Sequence, residues 1–90
     1  MKTISQYTNN ETIAIWIEDL LEENEKTRIK DLTARELERE IKEVKGTIKN
    51  ERLWSLADDG DLHLENLTIL EEYLKVLNQI LTELREEKKL

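Results

Sequence analysis

Two runs of apolar residues flank Asp59-Gly60, and each advances in alternating steps of three and four. The first is Leu37, Ile41, Val44 and Ile48. The second is Leu67, Leu70, Leu74, Leu77, Leu81 and Leu84. That spacing puts each run on one stripe of a helix, and no proline interrupts either. The expectation is one long antiparallel helical hairpin, its seams facing each other and its turn at Asp59-Gly60. Followed toward that turn, the seams pass into Ser55 on one side and His63 on the other. Packing residues therefore give way to polar ones just before the tip.

Caps divide the chain into three helices, at about 9–24, 34–57 and 62–88. Thr8 and Glu11 have the spacing of a capping box, and so do Thr33 and Glu36. Leu32 and Leu37 bracket the second box as a hydrophobic staple. The first helix carries Ile13, Trp16, Ile17, Leu20 and Leu21 on one face, and its other face, with Glu18, Asp19, Glu22, Glu23 and Glu25, is acidic. A polar connection runs from about Asn24 to Asp31. Gly60 supplies a left-handed residue to end the second helix, and Asp61 can cap the third. The fold class is all-α: a short N-terminal helix packed on a long helical hairpin, with residues 1–90 as a single domain.

The third helix has more apolar surface than one neighbour covers. Beside its main seam lies a second row, Ile69, Tyr73, Val76 and Ile80, headed by Asn66. Two adjacent rows imply contacts on two sides. The first helix can fill the extra side, and so can another copy of the hairpin. A chain of 90 residues buries a modest share of its surface alone. A homo-oligomeric helical bundle is therefore expected. Gly46, inside the second helix, has two readings: close approach of another helix, or a tolerated defect costing about 1 kcal/mol.

The net charge of −7 opposes general binding to nucleic acid, where phosphates demand the opposite sign. With no cysteine, disulfides and thiolate metal sites are excluded. No apolar run approaches a membrane span, and the first residues have no signal-type apolar core, so a cytoplasmic protein is expected. Asp58, Asp59 and Asp61 crowd the turn but lack the spacing of a calcium loop, and no metal or other cofactor is expected. A single histidine without an activated nucleophile gives no catalytic constellation, and the chain is not expected to be an enzyme.

The polar tip is the candidate ligand site. Counting back from the turn sets Arg52 across from about Leu67 and Ser55 from about Leu64. His63 and Asn66 then fall one turn from Arg52 and Trp54. Arginine offers a planar fork for phosphate or carboxylate, tryptophan a flat face for a base, and asparagine a two-way pairing edge. Lys42, Lys45, Lys49 and Arg52 form a basic row running toward this cluster. The candidate ligand-binding residues are Arg52, Trp54, His63, Asn66 and Lys49. Each also has a structural reading. The lysines can pair with glutamates of the first helix or of a neighbouring subunit, Trp54 can pack against the first helix, and His63 can sit at the edge of the core.

Two segments carry a resemblance. Asn10-Glu11-Thr12-Ile13-Ala14-Ile15-Trp16-Ile17-Glu18-Asp19 resembles an Asn-x-Glu-Thr…Trp-Ile segment of small tailed-phage proteins. Asn50-Glu51-Arg52-Leu53-Trp54, followed by His63-Leu64-Glu65-Asn66 and Tyr73, resembles small phage and prophage hairpin proteins. The resemblance implies a phage accessory protein acting in the host cytoplasm. In build it is similar, by analogy, to phage anti-defence sponges that sequester nucleotide signals. Such a protein would hold a small phosphorylated nucleotide at the hairpin or oligomer interface. The alternatives are an acidic inhibitor or adaptor that binds a host protein through the Glu18–Glu25 face, and a structural module whose partner is itself.

Overall fold

The computed structural model describes residues 3–57 and 61–88; the side chains of 54–57, 61–64 and 88 lie outside the described residues, as do Asp58, Asp59 and Gly60 at the expected turn. Four helices follow one another: α1 (Ile4–Tyr7), α2 (Glu11–Glu23), α3 (Ala34–Ala57) and α4 (Asp61–Lys88), with a 3-10 turn at Ile29–Asp31 before α3. Helices α3 and α4 pack as the hairpin that their seams require. The molecule measures 48 × 22 × 21 Å, so the hairpin sets its long axis. No strand occurs among the described residues.

The start of α3 follows the sequence pattern. The Thr33 backbone N–H donates to Glu36 Oε1 at 2.9 Å, and the Glu36 N–H donates to Thr33 Oγ1 at 3.2 Å. Leu32 and Leu37 are both buried in the core beside this box. The start of α2 differs from expectation. Asn10, not Thr8, is the cap, and its Oδ1 accepts from the N–H groups of Thr12 at 2.9 Å and Ile13 at 3.2 Å. Thr8 Oγ1 accepts from the Asn10 N–H at 3.1 Å, and so supports the cap from two positions further out. Asparagine caps at least as well as threonine, and this placement puts Glu11 in the first turn, where the helix dipole favours negative charge.

Helix α1 precedes the three helices that the caps predict. The Thr3 N–H donates to Gln6 Oε1 at 2.8 Å, and the Tyr7 hydroxyl donates to Glu83, which ties the N-terminal segment to α4. Helix α2 ends in a Schellman motif. The Lys26 N–H reaches Leu21 O at 2.7 Å and the Glu25 N–H reaches Glu22 O at 3.1 Å, with Glu25 in the left-handed region at φ 56°. The connection that follows is less polar than its composition suggests, because Ile29 turns inward and is buried.

Ile13 and Ile17 of α2, Leu37 of α3, and Leu77 and Ile80 of α4 are the most deeply buried side chains. They join the three long helices in one core. The second row of α4 is covered from within the chain: Tyr73, Val76 and Ile80 are buried, and the Trp16 ring meets Tyr73 edge-on with centroids 5.2 Å apart. Helix α2 thus packs on its own hairpin and covers Tyr73, Val76 and Ile80 without a second chain, while Ile69 of the same row is half-buried. A Cβ added at Gly46 would meet nothing within 4 Å. Close helix approach is therefore not the reason for this glycine within the chain.

Candidate functional site

The two long helices are clamped by ion pairs in a repeating row. Arg52 Nη2 lies 2.9 Å from Glu71 Oε1, and Arg85 pairs with Glu38. Glu38 and Arg52 stand fourteen residues apart on α3, as do Glu71 and Arg85 on α4. Two heptads separate the bridges, which matches the flanking-charge positions of an antiparallel coil. Arg52 reaches one turn beyond Leu67, the residue across from which counting from the turn had set it.

At the midpoint of that row the pattern breaks. Lys45 lies seven residues from both Glu38 and Arg52, and Asn78 lies seven from both Glu71 and Arg85. Lys45 and Asn78 line the same groove, so a neutral amide stands where a carboxylate would complete the row. The Asn78 Nδ2 donates to Leu74 O at 3.0 Å within its own helix. Among the described residues, no ion pair takes up Lys42, Lys45, Lys49 or Lys75.

A groove of about 650 Å³ runs past this break between α3 and α4. Lys45, Lys49 and Arg52 form its α3 rim, and Lys75 stands on the α4 side. Ile48, Leu74 and Leu53 give it an apolar floor and wall, with Leu53 58% exposed. Among the described residues of the lining Glu71 is the one carboxylate, and it is bridged to Arg52. Lys42 extends the basic row into the adjoining hollow beside Ile41 and Leu81. Four cations against one carboxylate make a local positive field on a chain whose net charge is −7.

The opposite flank of the hairpin is acidic. Residues two apart on a helix point about 200° apart, so Glu43 and Thr47 face away from Lys45 and Lys49. They border a cleft of about 280 Å³ under α2, together with Asp19, Glu23 and Glu40. Partial burial pushes the Glu40 carboxyl above its ordinary value, and the charges of Glu43 and Glu23 add to the effect. Burial also raises the Tyr73 phenol far above its usual range, and its hydroxyl points to Glu40 Oε1 at 3.4 Å. The lysine row is therefore not paired with glutamates of α2, which lie on the other side.

Of the five candidate residues, Lys49 and Arg52 come together in the basic groove. Asn66 does not join them: it is exposed and lies seven residues before Tyr73, on the flank that α2 covers. Trp54 and His63 sit in helical backbone of α3 and α4, but their side chains lie outside the described residues. Lys75, Leu53 and Asn78 were missed. Leu53 carried a usable signal, since it is an apolar residue beside the lysine row and off the α3 seam. The described residues contain no cluster fit to hold a metal ion, and no helix long and apolar enough to cross a membrane. No protein-family model, curated protein or solved structure matches the chain.

Proposed function

We propose that this chain is a non-enzymatic binding protein that holds a small phosphorylated ligand, of nucleotide class, in the groove between α3 and α4. One observation carries the reading: Lys45, Lys49, Arg52 and Lys75 surround an apolar floor with Glu71 as the single carboxylate among them. Phosphate charge would be met by the lysines, which act as point charges, and by the planar fork of Arg52. Ile48, Leu53 and Leu74 would take the flat, apolar part of the ligand. A volume near 650 Å³ is in the range of sites for such molecules. Sequestration is the role this reading favours, because the described lining offers charge and apolar surface and no serine, cysteine or histidine. A phage-encoded sponge in the host cytoplasm is the biological setting that fits this chemistry.

The test is calorimetric titration with cyclic di- and trinucleotides, mononucleotides and ADP-ribose derivatives. At least one should bind to the wild type, and Lys45→Glu/Lys49→Glu should lose it while its circular dichroism stays unchanged. Silence across the whole panel sinks the reading.

A second reading is favoured by Ile15. This side chain is 55% exposed on the outer face of α2, ringed by Glu11, Glu18, Asp19 and Glu22 at one- and two-turn spacing. An apolar knob inside an acidic ring suits a protein-docking surface, as an acidic inhibitor or adaptor would use.

A further inference from the structure

The large hydrophobic side chains that stand exposed among the described residues are Ile15 and Leu53, and their surroundings are opposite in charge. Ile15 projects from a ring of carboxylates on α2. Leu53 walls a groove rimmed by Lys45, Lys49, Arg52 and Lys75. One is a knob, and the other borders a hollow with Ile48 and Leu74 at its base. We infer that the partner of the α2 knob is the basic groove of a second copy of this chain, so that the protein self-associates head to tail.

Three features support the match. The charges are complementary, acidic ring against basic rim, which steers encounter and fixes register. The apolar parts match as well: an isoleucine at the centre of the ridge meets leucines and an isoleucine in the groove. The two surfaces also lie on opposite sides of the molecule. Helix α2 covers the Tyr73 side of the hairpin, while the groove opens on the Lys45 side. A chain therefore cannot dock its own ridge, and two rigid copies cannot fill each other's grooves at once. Each contact leaves one ridge and one groove unfilled, the condition for a closed ring or an open row.

The inference rests on the second reading of the α2 surface and not on the ligand reading, although it uses the same groove. A phosphorylated ligand and a neighbour's acidic ridge would compete for Lys45 and Lys49. Anion binding would then release the assembly.

Sedimentation velocity on the purified full chain tests this. The wild type should show a mass that rises with concentration. A ridge variant, Ile15→Ser/Glu18→Gln/Glu22→Gln, and a groove variant, Lys45→Gln/Lys49→Gln, should each run as monomers. An equimolar mixture of the two should stop at a one-to-one dimer, since one sound ridge and one sound groove remain. That dimer would also show that both variants are folded. Inorganic tripolyphosphate should return the wild type to monomer if ligand and ridge compete; failure of this step alone overturns the competition. A wild type that stays monomeric, or variants that associate as it does, overturns the self-association. A basic peptide of alternating lysine and leucine separates the two ideas. Its capture by a monomeric wild type but not by the ridge variant would keep α2 as a docking surface for another protein, and its failure to bind would remove that reading too.

Discussion

Lys45 shares its groove with Asn78 at the midpoint between the Glu38–Arg85 and Arg52–Glu71 bridges, where a regular antiparallel coil would set an acid against the lysine. The break changes the charge of a whole flank. With a carboxylate at 78, Lys45 would be neutralised and the lining would carry two acids instead of one. Asn78→Glu should therefore have two effects of opposite value. Unfolding free energy should rise by about 0.2–1 kcal/mol, the scale of an exposed ion pair. Affinity for the phosphorylated ligand should fall by about tenfold, which is about 1.4 kcal/mol. Urea titration and calorimetry on the same sample read both, and unchanged affinity would remove this groove as the anion site.

The Trp16–Tyr73 contact makes α2 part of the same cooperative unit as the hairpin. Tyr73 is 3% exposed, so Tyr73→Ala should cost about 3 kcal/mol or more, as truncation of a buried aromatic does. Trp16 is only partly buried, and Trp16→Ala should cost about half as much. Tyr73→Phe should stay within about 1 kcal/mol, because the hydroxyl contact to Glu40 is long at 3.4 Å. Far-UV circular dichroism in urea gives the three values. A small loss for Tyr73→Ala would mean that α2 does not pack as described.

The hairpin was legible because its signals are local. Three-and-four spacing needs only a dozen neighbouring residues, and Thr33 and Glu36 satisfy each other within one turn. Competing local choices were harder to order. Thr8 and Asn10 are both competent caps two residues apart, and the one whose side chain reaches two N–H groups prevails. Helix α1 spans four residues, too few to show a period, and its tie to Glu83 crosses most of the chain. The groove was half legible. Lys45, Lys49 and Arg52 follow one another at helical spacing, but the α4 residues that join them depend on interhelical register. A one-turn offset in that register, from Leu67 to Glu71, hid Lys75 and Asn78.

Two backbone positions carry residues that a neighbouring choice would improve. Gly46 lies in the interior of α3 with open space where a Cβ would go, so Gly46→Ala should stabilise by about 1 kcal/mol. Glu25 holds the left-handed position that closes the Schellman motif, where glycine carries no Cβ penalty. Glu25→Gly should also stabilise, by about 1 kcal/mol. The two sites lie on different elements, and their gains should add in the double variant. Shifts in urea midpoint at constant slope check this. A loss on Gly46→Ala would show that a second chain occupies that face.

Two glutamates give stability opposite dependences on pH. Glu36 accepts the Thr33 N–H, which holds its carboxyl below the ordinary value of 4.5. Its contribution is present above that value and is lost as pH falls through the lowered one. Glu40 is raised, first by partial burial and then by Glu43 and Glu23. Its folded form binds a proton more readily than the unfolded chain does. The stability it lends is therefore present below 4.5 and is lost as pH rises through the raised value. When ionised, Glu40 faces Asp19 and Glu23 from α2 and Glu43 from its own helix, with no cation among the described residues of the cleft lining. Glu40→Gln keeps an acceptor for Tyr73 and removes that repulsion. It should stabilise at neutral pH and lose the fall in stability seen on going from mildly acidic to neutral solution. Glu36→Gln should instead weaken the fold at neutral pH and blunt its loss in acid. Urea midpoints for the three proteins across that pH range check both signs, and parallel curves for Glu40→Gln and wild type would remove the acidic cleft as a source of strain.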